Sequence, residues 1–188
     1  MRTSIAGIAG AIAMFIWATV AHTLTPLASI GLQPLPGEDS MIAALHQSLG
    51  DKPGLYFFPF ADTDSKAMAA QEAKLKVEPH GLLVYQPPGT PGISPRLLSI
   101  EFGLELIESI LAAVLLSYAV GFSRRVGMAV MIGVIAGMAT NLSYWNWYGF
   151  SLDYSLANAF TELMKFVFSG LAIAAVLGWR GRTPATTV

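Results

Sequence analysis

The sequence predicts an all-α integral membrane protein, a four-helix transmembrane bundle carrying a small α/β extracytoplasmic cap between its first and second helices. Two observations lead there. Of 188 residues, 54% are hydrophobic and only 12% charged, well below the charged share of about 25% that covers a soluble domain. Four segments also reach the roughly 20 mostly apolar residues that a hydrocarbon core requires. They run from about Ser4 to Ile30, Pro95 to Val120, Val126 to Tyr148 and Tyr154 to Trp179. The chain divides accordingly into a first transmembrane helix over 1–30, a cap domain over 31–94, three further helices over 95–182 and a cytoplasmic tail over 183–188.

Orientation follows from the basic residues. Arg2 precedes the first span, Arg124 and Arg125 lie between the second and third, and Arg180 and Arg182 follow the fourth, with no acid at these ends. The stretch from Gly31 to Ser94 holds seven acids against four lysines. Because Lys and Arg are retained on the cytoplasmic side, both termini are expected in the cytoplasm and the cap outside an inner cell membrane. Amphipathic rings collect at headgroup depth, and Trp145, Trp147, Tyr148, Phe150 and Tyr154 mark the outer interface while Trp179 marks the inner one. The first span also has the outline of a signal peptide, with Thr19-Val20-Ala21 as a tolerable cleavage site. The recurrence of Gly7, Ala11, Ala18 and His22 at near-helical spacing favours a retained, packed helix.

In the cap, Asp39-Ser40 reads as a helix cap before the stripe Met41, Ile42, Leu45 and Leu49. Leu55 to Phe58, introduced by Pro53-Gly54, reads as a strand or an apolar segment on the membrane. Asp62 to Val77 reads as a second helix, and Gly81 to Tyr85 as a second strand candidate. Within the spans, Ser94-Pro95 is a cap followed by proline at the first helical position. Gly133 and Gly137 form a GxxxG element, a helix-packing face for a neighbour in the same bundle or in a second copy.

Ionisable residues inside the spans carry the most information. Glu101, Glu105 and Glu108 share one face of the second span, and Asn158, Glu162, Lys165 and Ser169 share one face of the fourth. At about 1.5 Å per residue, Glu105 and Glu108 lie roughly 15 and 20 Å below Ser94, and Asn141 roughly 10 Å below Tyr148. His22 lies near the same end of the first span, so every span contributes to one polar cluster: His22, Glu101, Glu105, Glu108, Asn141, Glu162 and Lys165. A charge facing lipid costs about 2.5–3.5 kcal/mol, so these groups are expected to face inward, with Lys165 within ion-pair reach of Glu105 or Glu108 and near Glu162. A purely structural role is one reading, in which the lysine pairs with an acid and the rest fix helix register. Four acids against one lysine exceed what that requires, so at least one carboxyl is expected to be protonated or hydrated.

Several classes of function are excluded or disfavoured. The net charge of −1 and the dispersed Lys and Arg leave no basic face for nucleic acid. The absence of cysteine removes disulfides, thiolate metal sites and a cysteine nucleophile. Phosphate loops and Gly-x-Ser-x-Gly elbows are missing. A metal centre from His22, Glu105, Glu108 and Glu162 lacks any Glu-x-x-His or His-x-x-x-His pair, so neither metal nor cofactor is assigned. What remains is a nonenzymatic binding or accessory subunit in the lipid bilayer, engaging a membrane protein partner through its cap. The alternative is proton, cation or small-molecule handling in an outward-facing acidic cavity.

Overall fold

A computed structural model of the chain describes residues 1–178 and is mostly helical. In chain order it forms α1 (Arg2–Thr23), α2 (Glu38–Leu49), β1 (Gly54–Phe58), α3 (Ser65–Leu75), β2 (Gly81–Tyr85), α4 (Pro95–Ser117), α5 (Phe122–Gly137), α6 (Ser143–Tyr148) and α7 (Leu152–Gly178). A 3₁₀ turn occupies Pro26–Ala28, and a π-helical turn at Met138–Leu142 joins α5 to α6. By length and composition, Arg2–Thr23, Phe122–Tyr148 and Leu152–Gly178 are apolar enough to cross a membrane. Three such helices are compatible with a multi-pass membrane protein. At 23 residues α4 is as long as α1, but Glu101, Glu105 and Glu108 within it keep it from qualifying on composition. Trp179, Arg180, Arg182 and the 183–188 tail lie outside the described residues.

Two compact units result. A helical unit comprises Met1–Leu32, Ile93–Asn146 and the residues from Phe150 on, and a smaller unit comprises Gln33–Gly92 with Trp147–Gly149. In the helical unit α1 packs against both α4 and α7, and α7 also packs against α5. Small side chains permit this closeness. Ala6, Gly7, Gly10 and Ala11 are buried on α1, and a Cβ at Gly10 would run into Ser109, Ser169 and Ile173. The Ser109 hydroxyl donates to the Gly7 carbonyl at 2.8 Å and lies 3.1 Å from the Ser169 hydroxyl, tying the three helices together. Gly133 and Gly137 face the backbone of α7 at Leu163 and Ala159, so the GxxxG element serves packing inside one chain.

Helix ends follow local chemistry. Ser94 caps α4, its hydroxyl accepting from the Leu97 amide at 3.3 Å, with Pro95 in the first turn. The first apolar segment reads as helical to Ile30, but α1 stops at Thr23. Thr25, just before Pro26, is extended (φ −124°, ψ 162°), as the clash of a proline ring with the preceding residue demands. The Arg125 guanidinium donates to the Leu116 and Ala119 carbonyls at the end of α4, placing a cation at a helix C-terminus.

The smaller unit is a two-stranded antiparallel sheet, with Gly54 opposite Tyr85 and Phe58 opposite Gly81, accompanied by α2 and α3. Its first helix begins before Asp39-Ser40: Gly37 is the cap, at φ 65°, and the Ser40 hydroxyl donates back to its carbonyl. Asp64 caps α3 through the Lys66 and Ala67 amides. Tyr85 is the one buried side chain here, its hydroxyl donating to the Gly50 carbonyl at 2.8 Å.

Candidate functional site

Helix periodicity builds the site. On α4, Glu101, Glu105 and Glu108 fall on one face, and on α7 Asn158, Thr161, Glu162 and Lys165 do the same. The Lys165 ammonium stands 3.4 Å from Glu105, 3.6 Å from Glu162, and 3.9 Å from each of Glu101 and Glu108. Its side chain is only 10% exposed, and that of Glu105 is fully buried. All four separations exceed the 2.7–2.9 Å, roughly, of a charge-assisted hydrogen bond. The ammonium is therefore shared among four carboxylates, with no single one binding it tightly. Glu105 makes no hydrogen bond through either oxygen, and the buried Oε2 of Glu108 makes none.

Beside this cluster lies a cavity of about 320 Å³. Its walls come from three long helices and the π turn: Ala18 and His22 of α1, Glu101 and Glu108 of α4, Thr140 and Asn141 of the π turn, and Asn158, Thr161, Glu162 and Lys165 of α7. The neutral polar groups there each donate within their own helical segment. Asn141 donates to the Gly137 carbonyl, Asn158 to Tyr154, Thr140 to Ala136 and Thr161 to Ala157. His22 Nδ1 donates to the Ala18 carbonyl at 2.9 Å. What this wall offers a guest is mostly acceptor atoms and negative charge.

The seven residues of the expected cluster are not equivalent. Glu101, Glu105, Glu108, Glu162 and Lys165 meet in one ion-pair group. His22 and Asn141 line the same cavity, but bond within their own helical segments and make no cross-helix hydrogen bond. Glu101 is half exposed and still reaches Lys165. Among the described residues, no three His, Cys, Asp or Glu side chains are grouped to hold a metal ion. Sequence reasoning missed Thr140, Thr161 and Ala18 in the wall, and the Trp17 indole, which donates to the Thr161 carbonyl at 3.0 Å. It also missed Ser109, whose position four residues after Glu105 was a readable signal.

No family model matches this chain, and no curated protein and no solved structure matches it.

Proposed function

We propose that this protein is an inner-membrane protein of four spans, with both termini cytoplasmic and the smaller unit outside, that binds a proton or a small cation in the acidic cavity around Lys165. The observation that carries this reading is one ammonium shared by four carboxylates at the edge of a polar cavity. Negative charge there exceeds what Lys165 neutralises, and an added cation relieves it. On the far side of the cluster the buried residues of α1, α4, α5 and α7 carry no charge, so a blind cavity opening to the outer side fits better than a continuous pore. α4 counts as the fourth span because Glu101, Glu105 and Glu108 all reach the Lys165 ammonium, at 3.9, 3.4 and 3.9 Å.

Charge displacement by purified protein in liposomes on a solid support, after jumps in pH, sodium or methylammonium, tests this. Wild type is expected to give a saturable transient. Glu105→Gln and Glu162→Gln are each expected to weaken it by about tenfold or more, as loss of one charged contact of roughly 1.5–3 kcal/mol implies. Thermal stability is expected to change little in both. Equal loss of folding in both variants would return the cluster to a structural role.

A second reading, an accessory subunit engaging a partner through the outer cap, is favoured by the sheet. Leu55 and Val84 stand opposite each other and are 67% and 66% exposed. Copurification with a defined membrane protein in mild detergent supports it, and a monodisperse particle without a companion contradicts it.

A further inference from the structure

We infer that the acidic cavity takes the N–H-bearing head of an amphiphilic organic cation, a primary ammonium or guanidinium, whose apolar body lies in a second cavity beside it. This rests on the cation-binding reading above and narrows it to a ligand class.

The second cavity, about 400 Å³, is walled by Phe15, Thr19, Thr23, Ile93 and Leu98. It shares Ala18, His22 and Glu101 with the acidic cavity. A carboxylate thus stands where the two meet, with a phenyl ring and aliphatic side chains beyond it. An amphiphile matches that sequence of surfaces, since its apolar part gains by leaving water while its charge stays with the acids.

The head group follows from the unsatisfied acceptors. The wall acids Glu101, Glu108 and Glu162 stand 3.9, 3.9 and 3.6 Å from the Lys165 ammonium, beyond the length of a charge-assisted hydrogen bond, and the Oε2 of Glu108 accepts no hydrogen bond. One ammonium has three N–H groups at most, whereas four carboxylates offer many more acceptor positions. The other polar wall groups each direct at least one donor to their own helices. A guest that brings N–H groups supplies what the site lacks. A quaternary ammonium brings none. Lys165 itself demonstrates that an ammonium is accommodated among these acids.

Calorimetric titration of the full chain in nanodiscs, with protein-free discs subtracted for partitioning, tests the inference using methylammonium, phenethylammonium and trimethyl(phenethyl)ammonium. Phenethylammonium is expected to bind about tenfold or more tightly than methylammonium, because its ring is removed from water in the second cavity. It is also expected to bind about tenfold or more tightly than its quaternary analogue, which donates no hydrogen bond. Glu108→Gln, at a half-exposed side chain and so compatible with folding, is expected to weaken phenethylammonium by about tenfold. Leu98→Asn is expected to bring the phenethylammonium-to-methylammonium affinity ratio towards unity. Equal binding of methylammonium and phenethylammonium, or an unchanged ratio in Leu98→Asn, overturns the amphiphile inference while leaving cation binding intact. Equal binding of the primary and quaternary amines overturns the N–H requirement. No saturable binding of any of the three overturns this inference and the cation reading together.

Discussion

The two ends of the helical unit are built on opposite principles. At one end Ala6, Gly10, Met14, Ala112, Ala113, Leu116, Ala129, Ile173 and Ala174 are buried, and the polar atoms present, on Ser109 and Ser169, bond across the helices. At the other end the same helices present Glu101, Glu108, Asn141, Asn158, Glu162 and Lys165 around a cavity, with Glu105 fully buried beside Lys165. Small residues bring backbones into contact where nothing polar needs room. Charged residues hold helices apart and leave volume between them. In an apolar solvent that difference separates scaffold from site, because close packing replaces the hydrophobic drive between helices while buried charge is tolerated only where it is answered.

The largest expected effect comes from removing the one cation at the polar end. Lys165→Ala leaves Glu105 buried without its counter-charge and is expected to cost about 3–5 kcal/mol, the range for breaking a buried pair. Unfolding in detergent checks it, and the loss is expected to exceed that of any single glutamate-to-glutamine variant. Overfilling the dry end comes next. Gly10→Val places methyl groups against Ser109, Ser169 and Ile173 and is expected to lose about 3 kcal/mol, at the upper end of overpacking costs. Ser109→Ala removes the hydrogen bond to the Gly7 carbonyl and is expected to cost about 1 kcal/mol by the same assay. Glu101→Gln is expected to change stability least, by under about 1 kcal/mol, because its partly exposed ion pair is screened by water. If Glu101→Gln destabilised as much as Lys165→Ala, the distinction between the buried cation and the rim acid would collapse.

Much of the polar end was legible because helical spacing alone collects Glu101, Glu105 and Glu108, and because a lysine among apolar residues has to find carboxylates. The start of α4 was legible from Ser94-Pro95 for a similarly local reason. Other features depend on partners that no local pattern names. Gly10 looks like any small residue until Ser109 and Ser169 close on it. The π turn at Met138–Leu142, which carries Thr140 and Asn141 to the cavity wall, contains no proline or glycine to announce it. The end of α1 was misplaced because hydropathy continues past Thr23, whereas backbone geometry before Pro26 stops the helix.

The absence of cysteine from the chain allows the most direct test of a hydrated acidic cavity opposite a dry end. Single cysteines at Asn158, in the cavity wall, and at Ile173, in the dry core, can be challenged in liposomes with cationic and anionic methanethiosulfonates of similar size. Asn158→Cys is expected to react, and faster with the cationic reagent by about tenfold or more, as a local negative potential of a few kT implies. Ile173→Cys is expected to stay unreactive with both. Equal reaction of the two reagents at Asn158→Cys, or modification of Ile173→Cys at the same rate, would contradict that arrangement.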